Sequence, residues 1–263
     1  MNLLAKILES KRTEIAQKQQ LISTDYLKSQ AAARAAQPDF REALTSAPIG
    51  LIAEIKRKSP SAGDIRAEMD PKNIAEDYAH AGAQALSILV DEAFFGARES
   101  DFGSVRKTVE LPLLYKEFVV DGWQIWHAAS QGASAVLLIA AALNDQELDE
   151  LLECADRAHL TPLVEVHTAE EMKRIKALNP SCVGINNRDL TTFEVSLETT
   201  FRLLESLPEG ATVVSESGIR KPEDILKLKA AGVHAVLVGE QLLRQDDVGQ
   251  AVKELMGGVW ESS

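Results

Sequence analysis

The stretch TVVSESGIRKPEDILKLKAAGVHAVLVGE, residues 212–240, holds one complete structural unit. A β-branched run, TVVSES (212–217), is followed by a helical segment, KPEDILKLKAAG, ending on Gly232, and then by a second apolar run, AVLVGE (235–240). The helix opens with Pro and acidic residues and closes on glycine, the order that capping and the helix dipole favour. Near-continuous apolar runs of this kind suit parallel strands covered on both faces.

Upstream the same unit recurs. LIAEIK (51–56), ALSILVD (85–91), PLLYKEFV (112–119), AVLLIAA (135–141), PLVEVH (162–167) and CVGINN (182–187) read as strands. PKNIAEDYAHAG, GWQIWHAASQG, DQELDELLECADRAH, TAEEMKRIKAL and SLETTFRLLESL read as the intervening helices, with Gly82 and Gly132 as further stop signals. Eight strand–helix units in about 210 residues predict an α/β fold, a single (β/α)8 TIM barrel. An open doubly wound sheet is the alternative; the even unit size and the lack of GxGxxG after the first strand weigh against it.

Residues 1–49 differ. Leu4, Ile7, Ile15 and Leu21 recur at helical spacing amid charges, YLKSQAAARAA forms a second polar helix before Pro38, and DFREAL leads into Pro48. So few apolar positions cannot build a core. The expected organisation is one domain, 1–263, with an N-terminal helical extension (1–49) leaning on a barrel (50–263).

The net charge of −12 and pI near 5.0 argue against nucleic acid or a membrane surface as partner. No apolar run reaches the roughly 20 residues of a membrane span, and no signal-peptide pattern opens the chain. Cys154 and Cys182 lack CxxC spacing and read as free thiols of a reduced compartment; the five histidines are scattered. The expectation is a soluble cytoplasmic monomer with no metal and no cofactor.

Barrel chemistry sits at the carboxyl ends of the strands. Glu54 and Lys56 share one face of the first strand, Arg57 points the other way, and Lys58 begins a loop, KSPSAG, expected to order over bound phosphate. Lys116 interrupts LPLLYKEFVV and Glu165 interrupts PLVEV; such charges in buried runs are costly unless paired, hydrated in a cleft, or used. Asn186 with Arg188, and Ser215, Glu216 and Ser217, close two later strands. Asp91 and Glu117 read as solvated groups or helix caps. Gly218 and Gly239 follow the last two strands, where barrels bind phosphate on bare backbone N–H groups, although tight-turn geometry also explains a glycine. A phosphorylated small molecule is the expected substrate class.

AEIKRKSPSAGDI (53–65), LLYKEFVV (113–120), PLVEVH (162–167), GINNRDL (184–190) and SESGI (215–219), in this order, resemble the indole-3-glycerol-phosphate synthase family over nearly the whole chain. With no second barrel following, the resemblance is to its single-function form. It implies conversion of 1-(2-carboxyphenylamino)-1-deoxyribulose 5-phosphate to indole-3-glycerol phosphate, CO2 and water in tryptophan biosynthesis, a carboxy-lyase step. Lys116 would be the general acid for ring closure, and Glu165 the base or the stabiliser of positive nitrogen. Lys56 would hold the substrate carboxylate and assist dehydration, with Glu54 orienting it. Asn186 and Ser217 would meet substrate hydroxyls and carboxylate, with Arg188 and Glu216 close by. Ser59, Gly218 and Gly239 would hold phosphate, and Phe95 and Phe118 would flank the aromatic ring. Glu240 stands where the family often has serine, so it should turn its carboxylate away and offer only backbone N–H. Ser215, where alanine is common, should change little. The rival readings are an Amadori-type sugar isomerase, which this residue set fits poorly, and a non-catalytic scaffold, which would not need both lysines.

Overall fold

A computed structural model describes residues 3–260; positions 1–2 and 261–263, the ends of the expected 1–263 span, lie outside the described residues. The strands are β1 (Gly50–Ile55), β2 (Ala85–Leu89), β3 (Leu113–Lys116), β4 (Ala135–Ile139), β5 (Thr161–Val166), β6 (Cys182–Asn186), β7 (Thr212–Glu216) and β8 (Ala235–Val238). Each pairs in parallel with its sequence neighbours, and β8 closes the barrel on β1 in the register Gly50↔Ala235 to Ala53↔Val238. All eight fall where the apolar runs placed them, and the pairing of β8 with β1 rules out the open sheet.

The helices are α1 (Leu3–Leu21), α2 (Thr24–Ala32), α3 (Phe40–Thr45), α4 (Pro71–His80), α5 (Glu92–Phe95), α6 (Ser100–Arg106), α7 (Gly122–Gln131), α8 (Asp145–Arg157), α9 (Ala169–Leu178), α10 (Glu198–Leu204), α11 (Pro222–Ala230), α12 (Glu240–Leu243) and α13 (Val248–Trp260). Four of these, α5, α6, α12 and α13, follow β2 and β8, where the repeated unit calls for a helix but no segment was singled out in the sequence. The segment after β2 is broken by Gly96 in the left-handed region (φ 68°), which leaves two pieces too short to show a period. No helix among the described residues is long and apolar enough to cross a membrane.

Strand alternation divides the core in two. Leu51, Ala53, Leu86, Val164 and Val213 point outward against the helices. Ile52, Ala85, Leu114, Leu163, Val214 and Ala235 point inward, where Phe40 and Leu44 of α3 join them and plug the amino-terminal end of the barrel. At the other end Leu3, Leu4 and Ile7 of α1 reach the cavity mouth. Between the two, α2 runs along α7: Ile15, Leu27 and Trp123 form a small separate cluster, and the Trp123 indole N–H donates to Ile22 O at 2.8 Å. The buried stripe of α1 is Ile7, Lys11 and Ile15; Leu21, read as part of that stripe, is 83% exposed.

Candidate active site

Inward parity decides which polar side chains meet. Glu54 lies two residues above Ile52, Lys116 two above Leu114, Glu165 two above Leu163 and Glu216 two above Val214. Four charges therefore share the axis directly above the apolar plug, buried to 9% exposure or less. Lys116 Nζ donates to Glu216 Oε2 at 2.5 Å and to Glu165 Oε2 at 3.1 Å, and Lys56 is paired with Glu54. Burial opposes the Lys116 charge, but Glu216 and Glu165 more than offset it and hold the ammonium protonated far above the ordinary lysine range. Glu165 is pushed up by burial but pulled well below the usual carboxylate range by Lys116 and His167. Glu216, with one oxygen unpartnered among the described residues, is raised by burial to about 7 despite Lys116. One ammonium thus sits between a firmly ionised carboxylate and one that titrates near neutrality.

Two glycines make this crowding possible. A Cβ on Gly184 would collide with Glu216 Oε1, and one on Gly239 would stand 2.5 Å from Glu54 Oε1. Gly239 is therefore needed to accommodate Glu54, whatever else its backbone does. Gly218 (φ 81°) follows Ser217, itself left-handed at φ 66°, so the chain turns sharply above β7.

That turn rests on Asn187, which sequence reasoning passed over between Asn186 and Arg188. Its buried amide donates to Ser215 Oγ, Glu216 O and Ser217 O at 2.9–3.1 Å. Its Oδ1 accepts from the Thr200 N–H and hydroxyl, and Thr200 Oγ1 meets Ser215 Oγ at 2.8 Å. Ser215, where alanine is common, is bonded into this buried network.

A cavity of about 490 Å³ opens above the charges. Every residue to which the resemblance gives a catalytic or substrate-binding role lines it: Glu54, Lys56, Ser59, Phe95, Lys116, Phe118, Glu165, Asn186, Arg188, Glu216, Ser217, Gly218, Gly239 and Glu240. Phe95 and Phe118 face each other at 5.9 Å between ring centroids, with an interplanar angle of 39°. Ser59 Oγ accepts from Ala62 N–H and closes a hairpin, Lys58–Ser59 with Gly63–Asp64. Arg57 turns outward as expected, paired with Asp101. The Glu240 carboxylate accepts from Arg244 Nε at 2.9 Å, so its charge is met by a cation that also lines the cavity. Arg220 and Arg244, at the Gly218–Gly239 end, escaped notice in the sequence because neither interrupts an apolar run.

Asp91 and Glu117 need correction. Asp91 does cap α5, accepting from Phe94 and Phe95 N–H at 2.6 and 3.3 Å, but neither carboxylate is solvated: both are buried against Lys11 of α1. The solvated reading fails because α1 arrives from far away in sequence to cover them.

His167, the last residue of PLVEVH, was also unassigned. Its Nε2 stands 3.2 Å from Glu165 Oε1, off the line of a well-formed hydrogen bond, and its Nδ1 3.3 Å from Glu171 Oε2. Burial lowers its proton affinity, but Glu165 and Glu171 outweigh that and raise its pKa to about 10. A histidine that binds its proton more tightly when folded stabilises fully below its unfolded pKa of about 6.5 and loses that contribution as pH climbs through 10. Unfolding free energy should therefore decline from about pH 6.5 to 10 by up to a few kcal/mol, at about 1.4 kcal/mol per unit. Glu216 and Glu117, both raised to about 7, act in the lower window between about 4.5 and 7. Urea titrations at pH 7, 8.5 and 10 should show the decline flattened in His167→Gln; an unchanged slope would remove His167 as its source.

A family model described as indole-3-glycerol phosphate synthase matches residues 4–255. The chain is 42% identical over 258 residues to an indole-3-glycerol phosphate synthase of Acidithiobacillus ferrooxidans, covering 97% of this chain and 98% of that one. It is 43% identical over 254 residues to one of Shouchella clausii, covering 96% and 97%. Among solved structures, a thiamine phosphate pyrophosphorylase from Pyrococcus furiosus superposes at a TM-score of 0.62 with 18% identity (85% of this chain, 98% of that one). A mutant tryptophan synthase alpha-subunit from the same organism gives 0.61 with 17% identity (79% and 98%); both likenesses speak to the fold alone. With the family model spanning nearly the whole chain and relatives above 40% identity along the full length of both partners, this chain belongs to the indole-3-glycerol phosphate synthase family.

Proposed function

We propose that the chain closes, decarboxylates and dehydrates 1-(2-carboxyphenylamino)-1-deoxyribulose 5-phosphate to indole-3-glycerol phosphate, the family's step in tryptophan biosynthesis. The observation that carries this reading is Lys116, fully charged between Glu165 and Glu216 at the floor of a cavity with an aromatic pair in its wall. A new carbon–carbon bond forms when the ring carbon bearing the carboxylate attacks the ketone carbon. The ketone oxygen gains negative charge as that bond forms, and Lys116 gives it a proton. The bond to the carboxylate then breaks, CO2 leaves, and its electron pair restores the aromatic ring. In the last step the new hydroxyl leaves as water after protonation by Lys56, which Glu54 orients, and loss of a carbon-bound proton completes the indole. Glu165, ionised and aimed at the same floor, receives that proton or faces the positive nitrogen.

Phe95 and Phe118 take the anthranilate ring, and Asn186, Arg188 and Ser217 its polar substituents. The phosphate goes to the Ser59, Gly218 and Gly239 end, where Arg220 and the Arg244–Glu240 pair supply the charge balance. Glu216, taken from sequence as a substrate ligand, is better assigned to holding Lys116, since its bonded oxygen already lies 2.5 Å from that ammonium. Action as a monomer is part of this reading. Purified protein incubated with the substrate in EDTA should develop the fluorescence of indoleglycerol phosphate; no product, or product only when metal is restored, would overturn the reading.

A further inference from the structure

Lys11 is a charged residue on the apolar stripe of α1, between Ile7 and Ile15, and only 2% exposed. Its ammonium lies 2.7 Å from Glu14 Oε2, 2.9 Å from Asp91 Oδ2 and 3.1 Å from Glu117 Oε2. The Asp91 contact is a charge–charge approach, since that oxygen makes no aligned hydrogen bond, whereas the Glu117 contact is a hydrogen bond.

The two buried carboxylates divide their oxygens in the same way. Asp91 Oδ1 accepts from the backbone N–H of Phe94 and Phe95, while Oδ2 faces Lys11. Glu117 Oε1 accepts from the backbone N–H of Phe118 at 2.8 Å, while Oε2 faces Lys11. One ammonium therefore connects α1 to the two backbone segments that carry the facing rings of Phe95 and Phe118. Leu3, Leu4 and Ile7 on the same helix line the same cavity. A purely structural tether needs no such geometry: a pair of leucines would hold the helix without the desolvation of three charges.

We propose that Lys11 is a positioning residue for the aromatic end of the cavity, fixing the Phe95–Phe118 separation and holding α1 as the roof above them. It acts through Asp91 and Glu117 and touches no reacting atom. The ligand at stake is a planar aryl carboxylate, an assignment that rests on the function proposed above. Burial, with Asp91 adding to it, lifts the proton affinity of Glu117 against the pull of Lys11, so removing that cation shifts Glu117 further towards its neutral form.

Lys11→Met keeps most of the side-chain length and removes the charge. Ring contacts made equally in ground and transition states appear in KM, so KM should rise about tenfold with kcat changed less than about threefold. Two direct probes separate the ends of the cavity. The affinity for anthranilate, followed by its own fluorescence, should fall at least about fivefold, while that for inorganic phosphate should stay within about twofold. Lys11→Arg, which restores the charge, should recover most of the loss. Equal loss of both probes, or a lowered melting temperature with KM and anthranilate binding unchanged, would overturn the proposal and leave Lys11 a structural tether. If Lys11→Met does not fold, Lys11→Met with Asp91→Asn and Glu117→Gln strands no charge, keeps acceptors for the phenylalanine N–H groups, and is judged by the same readouts. A wild-type protein that binds anthranilate but forms no product overturns the proposed reaction alone.

Discussion

Lys116→Ala is expected to lower kcat by about 10³-fold or more while the barrel stays folded. The lysine alone bridges Glu165 and Glu216, whereas Lys56 is paired with Glu54 and His167 with Glu165 and Glu171, so neither stands in its place as proton donor. General acid catalysis alone is worth about 10²–10⁴-fold, and the same ammonium also stabilises the developing oxyanion. Stranding a buried charge can cost about 3–5 kcal/mol. Here the loss is softened because Glu216, already near 7, can take a proton and then donate to Glu165. Circular dichroism should therefore match the parent protein while product fluorescence disappears. Turnover within about tenfold of the parent would remove Lys116 from the acid role and with it the mechanism proposed above.

Asn187→Leu should have the largest effect on stability. The leucine has nearly the same shape but leaves the Ser217 carbonyl and the Thr200 N–H without the amide they now share, while the Thr200 hydroxyl keeps only Ser215 Oγ. Each buried polar group left unsatisfied costs about 1–3 kcal/mol. A combined loss of about 4 kcal/mol would lower the melting temperature by roughly 8–16 °C in a chain of this size. The left-handed turn at Ser217 and Gly218 loses its tie at the same time, so KM should rise more than kcat falls. A melting temperature within about 2 °C of the parent would mean that the network is not what holds the turn.

The barrel was legible in the sequence because parallel strands and capped helices are written locally, one unit at a time. The inward groups were legible for a related reason: Lys116 and Glu165 interrupt apolar runs, and strand parity says which way they point. What could not be read is what those groups meet. That Glu216 braces Lys116 depends on Gly184 of the adjacent strand, and nothing near either residue announces the fit. Asn187 looked like part of a motif because its partners, Thr200 and Ser215, belong to α10 and β7. Two misses did leave a local trace. Lys11 stands four residues from both Ile7 and Ile15, where a helix stripe should have stayed apolar, and His167 stands four residues before Glu171 at a helix start.

The extension touches both ends of the barrel, and this sets an order on synthesis. Phe40 and Leu44 can plug the barrel only once Ala235 has arrived to complete the ring, and α1 has nothing to clasp until Asp91, Glu117 and Trp123 exist. At roughly 5–20 residues per second, about 190 residues separate the plug from the strand that closes around it, or some 10–40 seconds of translation. The extension thus settles in two stages: α1 has its partners once Trp123 has emerged, whereas the α3 plug waits in water until the last strand closes the ring.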